Sequence, residues 1–110
     1  MPIEIIPFVP KYSDYLSISL EELAWTFHYR WSFTDNAWYS DLSSVESGTT
    51  LLGLKFMPGG NILRPHAVTE LGGIFVVDTE GKFENPNYDD FGDRFKVLYV
   101  SKDLMVDYSF

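Results

Sequence analysis

Apolar and polar residues alternate along much of this chain, most regularly in its first half. In the segment LAWTFHYRWS, every second residue is large and apolar, and the residues between them are small or polar. A period of two is typical of β-strands, whose successive side chains point to opposite faces of a sheet. We therefore predict a strand here, and another over the preceding YLSISL. The apolar face of the longer strand is our candidate core: Leu23, Trp25, Phe27, Tyr29 and Trp31.

The residues that follow predict a hairpin. FTDN is a turn, because Asp35 and Asn36 tolerate left-handed backbone, and AWYSDLSS is the returning strand. On that strand, alternation places Trp38 and Leu42 on one face and Tyr39 on the other. VESGTT then predicts a second turn.

The second half of the chain repeats this pattern with shorter runs. LLGLKF, IFVVD and FKVLYV each predict a strand, and the unbroken IFVVD run is typical of a strand buried on both faces. MPGGN predicts a turn, FENPNYDDFGDR a long loop, and ILRPHAVTEL an extended edge or bend interrupted by Pro65. LMVDYSF would add one more strand. About seven or eight short strands without an amphipathic helix predict an all-β fold, a small antiparallel β-sandwich or barrel.

The first ten residues contain three prolines, which favour extended backbone. We interpret residues 1–12 as a proline-punctuated N-terminal arm and residues 13–110 as a single all-β domain. Ile5, Ile6 and Phe8 give the arm apolar side chains to bury. The arm would dock either on this domain or on a neighbouring subunit. The same prolines interrupt the apolar run that a signal peptide needs.

Composition narrows the possible functions. A chain of 110 residues forms one domain, and its aromatic content of 17% exceeds what a small core requires. The net charge of −8 repels phosphate backbones and anionic membrane surfaces, so we expect no nucleic-acid partner. The absence of cysteine excludes disulfides and thiolate chemistry. No apolar run approaches the roughly 18 residues of a membrane-spanning helix.

Metal sites have little support in the sequence. His28 and His66 are far apart and lack the paired spacing of zinc ligands. Asp89, Asp90 and Asp93 lack the alternating spacing and terminal glutamate of a calcium loop. We interpret the three aspartates as part of a solvated loop.

Catalytic motifs are also missing. Glu21 and Glu22 are adjacent, so on a strand they would face opposite sides and could not share one acid–base reaction. We interpret them as charged residues that lie between two strands. The chain has no nucleophile elbow, phosphate-binding loop or dinucleotide motif. We therefore predict no catalytic, cofactor-binding or metal-binding residues and no enzymatic activity.

The aromatic residues leave two interpretations open. A ring-rich face without interleaved lysines favours a buried core over a platform for nucleic acid. A small carbohydrate- or peptide-binding β-sandwich is the alternative, with an exposed patch of Trp38, Tyr39 and Asp41. The rings also outnumber the needs of one core, so Phe33 and Trp38 are candidates for a subunit interface, where such side chains are enriched.

Six short motifs follow one another between about residues 15 and 101. They are YRW at 29–31, WYSDL at 38–42, LLG at 51–53, GGIFVVD at 72–78, DDFG at 89–92 and LY at 98–99. In order and spacing, the chain resembles the plug proteins of contractile-tailed bacteriophage baseplates, of the type found in a cyanophage.

The resemblance implies a structural virion protein, made in the host bacterial cytoplasm, that closes the tip of the tail tube. It implies baseplate hub and tail-tube proteins as partners, no cofactor and no catalysis. A threefold- or sixfold-related homo-oligomer would fit the symmetry of a tail. The arm and the surplus rings supply the candidate interface: Ile5, Ile6, Phe8, Phe33, Trp38 and Tyr39.

Overall fold

The computed structural model describes residues 3–66 and 71–104. These residues form two antiparallel sheets of three and four strands, which confirms the predicted all-β fold. The strands are β1 (Ile3–Ile6), β2 (Ser13–Leu20), β3 (Leu23–Ser32), β4 (Ala37–Ser44), β5 (Thr49–Lys55), β6 (Gly73–Asp78) and β7 (Phe95–Val100). The four-stranded sheet has the order β2-β3-β4-β5, and the three-stranded sheet has the order β1-β7-β6.

One hydrophobic core lies between the sheets, which makes the fold a sandwich. It takes Phe27 from β3 and Val97 from β7, each with no exposed surface. In the aromatic stripe of β3, Trp25, Phe27 and Tyr29 are buried, whereas Leu23 and Trp31 are partly buried and pack against the same cluster. The stripe therefore builds the core, because its rings face the second sheet.

Two of the hairpin turns contain residues with left-handed backbone. Glu21 and Glu22 make the two-residue connection between β2 and β3, and both have positive φ, 52° and 67°. A turn with two left-handed residues matches the twist of a hairpin, although glycine or asparagine usually occupies it. Asn36 ends the β3–β4 turn with φ 51°. The predicted hairpin of β3 and β4 is confirmed by the pairing of Trp31 with Trp38.

The N-terminal segment packs on its own domain. β1 pairs with β7, from Ile3 opposite Val100 to Ile6 opposite Val97. The side chains of Ile6 and Phe8 are buried in the core, so their assignment to a subunit interface is wrong.

The close approach of the arm also depends on a glycine. Gly92 has φ 88°, and a β-carbon there would collide with the carbonyl of Phe8. Because glycine has no β-carbon, the arm can lie directly against the loop that leads into β7.

Three other predicted segments remain to be compared with the structure. Of the two forms predicted for ILRPHAVTEL, the described part takes the bend: Arg64–His66 is a 3-10 turn, and the Asn61 side chain accepts hydrogen bonds from the N–H groups of Leu63 and Ile74. Residues 67–70 of that segment lie outside the described residues. The IFVVD strand is not buried on both faces, since Val77 is 40% exposed. The extra strand predicted over LMVDYSF covers residues 104–110, and all of these except Leu104 lie outside the described residues.

Candidate functional site

Four aromatic side chains from distant parts of the sequence meet at one end of the sandwich. We call Tyr12, Trp31, Phe33 and Tyr88 the end cluster. The ring of Tyr12 stacks on Tyr88 at 4.8 Å between centroids and contacts Phe33 at 5.3 Å, and Trp31 meets Tyr88 edge-on at 5.9 Å. Tyr12 and Phe33 are 61% and 70% exposed, so this group of rings faces solvent.

A buried tryptophan supports the cluster from beneath. Trp38 has no exposed surface, and its ring stacks with those of Tyr88 and Phe91, at 5.4 Å and 4.4 Å between centroids. Its indole N–H donates a hydrogen bond to the carbonyl of Asn87, at 2.9 Å. The exposed rings are thus in contact with aromatic rings of the core through Trp38. The stacking and the hydrogen bond of Trp38 also hold the loop that carries Tyr88.

Hydrogen bonds also hold the backbone that carries the cluster. The N–H of Trp31 donates to the carbonyl of Tyr12 at 3.0 Å, and the Tyr29 hydroxyl donates to the carbonyl of Val9. In the loop before β7, the Asn87 side chain accepts from the N–H of Asp90 at 2.8 Å and donates to its carboxylate. Rings on a backbone held this way lose little freedom when they bind a partner.

Acidic groups border the end cluster. The pKa of Asp14 is lowered by the backbone N–H of Tyr15 and then by Lys11, whose ammonium lies 3.1 Å away. The pKa of Tyr88 is raised by burial, by Tyr12 and by Asp89. At neutral pH the rings are therefore uncharged, and their surroundings carry carboxylates.

A second exposed apolar surface covers the three-stranded sheet. Cross-strand partners share a face, so the pairing of Ile5 with Leu98 and of Phe75 with Leu98 places alternate residues of three strands on the outer side. We call Ile3, Ile5, Val77 and Leu98 the outer sheet face. The first three are 45%, 59% and 40% exposed.

The outer side of the four-stranded sheet is different in chemistry. There the hydroxyls of Ser17 and Thr26 lie 3.1 Å apart, and Arg30 forms an ion pair with Asp41 at 3.4 Å. This polar surface suits contact with water. Tyr15 and Leu52 are exposed on the same sheet, at 67% and 69%.

The other candidate interface residues differ in how exposed they are. Ile5 and Phe33 are exposed, and each belongs to one of the two apolar surfaces. Trp38 is buried, so its assignment to an interface is wrong, because the loop before β7 covers it. Tyr39 is half-buried on the polar side of β4, where its hydroxyl donates to Asp35 at 2.6 Å.

The proposed ligand patch of Trp38, Tyr39 and Asp41 does not exist as one surface. Alternation along β4 puts Tyr39 and Asp41 on the face opposite Trp38, which has no exposed area. Tyr12 and Tyr88 were not predicted as surface residues. No local signal could reveal them, because the two tyrosines are far apart in the sequence and meet only in the fold.

His28 and Asp90, two of the side chains considered as metal ligands, make hydrogen bonds within the fold. His28 stacks on Tyr15 at 4.3 Å and lies 3.1 Å from the hydroxyl of Ser13. Residues 3–66 and 71–104 contain no cluster of three or more side chains able to hold a metal ion. Over the same ranges there is no helix with the length and apolar character that crossing a membrane requires.

Comparison with known families agrees with the architecture. A family model described as cyanophage baseplate Pam3 plug gp18 matches residues 3–102, which include all seven strands. No curated protein sequence matches the chain. The family match implies a structural role in the virion tail, in association with other baseplate components. The chain therefore belongs to the cyanophage baseplate plug family.

Proposed function

We propose that this chain is the subunit that closes the tail tube at the baseplate, and that it does so by packing against hub and tail-tube proteins without catalysing a reaction. It is made in the host bacterial cytoplasm and assembles as copies related by the threefold or sixfold symmetry of the tail. The end cluster is the observation that supports this proposal most directly, together with the family match.

The end cluster has the properties of a protein-binding surface. Its exposed rings are large and rigid, and Trp38 holds them from below through stacking. Aromatic side chains of this kind dominate the binding energy of many interfaces, because they bury a large area and lose little entropy. The outer sheet face offers additional apolar area on the same molecule, as a subunit with several neighbours requires.

The first experiment locates the protein in purified virions by electron cryomicroscopy of the tail. We expect density that fits the sandwich at the tip of the tail tube, in contact with the hub. A position elsewhere in the virion, or absence of the chain from purified tails, would refute the proposal.

A second experiment tests the end cluster itself. Phe33→Asp places a charge among the exposed rings, and Val45→Asp is a matched control, because Val45 is 99% exposed in the β4–β5 turn. We expect Phe33→Asp to weaken binding to the co-expressed hub protein of the same phage by at least about tenfold, and Val45→Asp to leave it unchanged. Equal binding by both variants would show that the end cluster does not contact the hub.

A further inference from the structure

A groove beside the end of β5 combines apolar walls with two cations. Its volume is about 460 Å³, and its walls include Lys55, Met57, Ile62 and Arg64. Cavities of this size accept small molecules or a few residues of a peptide. The groove shares no lining residue with the end cluster, so an inference about it does not depend on the contacts proposed for the hub.

The two cations have no carboxylate partner among the described residues, as is also true of Lys96, whose ammonium donates to the carbonyl of Gly92. Lys11, Arg30, Lys82 and Arg94 each lie within 4.0 Å of a carboxylate. Within the part of the chain that the structure describes, Lys55 and Arg64 form no such pair, and no aspartate or glutamate lines the groove. The nearby carboxylate of Asp41, which accepts from the N–H of the lining residue Gly53, is paired with Arg30. In a protein of net charge −8, the groove is thus lined by two cations and no acid.

The apolar walls restrict the ligand further. Met57 and Ile62 flank the cations, and Pro58 and Pro65 add rigid apolar surface. The rim at Gly59 and Gly60 carries no side chains, which keeps the groove open. A bare inorganic anion would leave these walls in contact with water, whereas a ligand with carboxylates beside apolar groups would use both parts of the groove.

From this complementarity of charge and polarity, we infer that the groove binds an acidic protein segment in which carboxylate side chains alternate with apolar ones. Lys55 and Arg64 bind the carboxylates, and the guanidinium of Arg64 can hold one of them through two hydrogen bonds. Met57 and Ile62 contact the apolar side chains between them. In a baseplate, such a segment would come from a neighbouring protein.

The test is a nuclear magnetic resonance titration of the full-length, ¹⁵N-labelled protein. The probe is the blocked peptide acetyl-Glu-Leu-Asp-Leu-Glu-amide, and the control peptide carries glutamine and asparagine in place of the acids. We expect chemical-shift changes concentrated in residues 53–65 with the acidic peptide and at least about tenfold weaker binding of the neutral one. Raising the salt concentration should weaken the acidic peptide further.

Variants separate the groove from general charge attraction. The double variant Lys55→Gln/Arg64→Gln should lower affinity at least about tenfold. Lys82→Gln is the control, because it removes an exposed cation that is paired with Glu80 outside the groove. Both proteins should keep a dispersed spectrum, since the three side chains are not part of the buried core.

Several results would overturn the inference. They are no binding at millimolar peptide, equal binding of the acidic and neutral peptides, or equal effects of the groove and control variants. Inorganic phosphate is titrated in parallel. If it produced the same shifts with higher affinity than the acidic peptide, the groove would be an anion site and not a peptide site.

Discussion

A hydrogen-bonded contact between Tyr99 and Glu21 joins the two sheets. Tyr99 lies on β7 and is 2% exposed, and its hydroxyl donates to the carboxylate of Glu21 in the β2–β3 turn. The same hydroxyl accepts a hydrogen bond from the N–H of Gly72 at 2.9 Å. Glu21 also accepts from the N–H of Lys102 at 2.7 Å. Replacing Tyr99 with phenylalanine removes the hydroxyl and leaves the ring in place.

The expected cost follows from the two bonds that are lost. A hydrogen bond to a charged acceptor contributes about 1.5–3 kcal/mol, and a buried N–H left without an acceptor costs about 1 kcal/mol or more. We therefore expect Tyr99→Phe to lower the free energy of unfolding by about 2–4 kcal/mol. For a domain of this size, that loss corresponds to a fall in Tm of about 9–17 °C.

The assay is urea unfolding at pH 7, followed by tryptophan fluorescence. Tyr39→Phe is the matched control, because Tyr39 also donates to a carboxylate, that of Asp35, but does so in solvent. We expect the control to lose less than about one third of the free energy that Tyr99→Phe loses. A loss below about 0.5 kcal/mol for Tyr99→Phe, or equal losses for both tyrosines, would refute a stabilising role for this contact.

The same contact predicts a dependence on alkaline pH. Burial and the hydrogen bond to Glu21 raise the pKa of Tyr99 above its ordinary value of 10. The folded protein then holds the phenolic proton more strongly than the unfolded chain does. Its contribution to stability is fully present below pH 10 and is lost as the pH rises above that value. Unfolding free energies measured between pH 9 and 11 should fall more steeply for the wild type than for Tyr99→Phe.

Three further substitutions test the core, the arm and an ion pair. Phe27→Ala removes a fully buried ring that contacts Phe8, and urea unfolding should show a loss of about 3–5 kcal/mol; a loss below about 0.5 kcal/mol would place the stripe at the surface. Gly92→Ala forces a β-carbon against the carbonyl of Phe8 at positive φ, so thermal unfolding should show a loss above about 2 kcal/mol, and an unchanged Tm would contradict that packing. The hydrogen bonds from Arg94 hold the pKa of Asp78 well below its usual range, so the stability from this pair is present above about pH 4 and is lost as the pH falls below that value. Acid unfolding of Asp78→Asn should therefore depend less steeply on pH than that of the wild type, and parallel curves would contradict the assignment.

Much of the fold could be predicted because its signals are local. The aromatic residues of β3 alternate with polar ones, and a strand with that pattern has one face to bury, so Trp25 and Phe27 belong to the core. The turn before β4 could be predicted from Asn36, because few side chains tolerate its left-handed backbone. The segment around Pro65 was predicted as an extended edge or a bend, and local signals could not decide between them, since one hydrogen bond of Asn61 at the bend involves residue 74, on another strand.

The candidate site was harder to predict. The number of rings in the sequence indicated that some must lie outside the core, but it did not say which. Trp38 was assigned to the surface because nothing near it in the sequence reveals that the loop carrying Tyr88 and Phe91 lies over its ring. Phe33 is exposed because it lies in a turn, and a turn residue can be recognised locally.

Strands β2 to β7, most turns, the buried face of β3 and the family could be inferred from the sequence, because period-two alternation, turn residues and motif order are properties of neighbouring positions. β1 was not predicted as a strand, because its pairing with β7 joins the two ends of the chain. The contacts between distant residues became visible in the folded chain: Tyr12 with Tyr88, Glu21 with Tyr99, and the arm with Gly92. These contacts depend on how the sheets pack and how loops close over them. That packing depends on the apolar surface that the whole chain buries, so it cannot be inferred from any short segment.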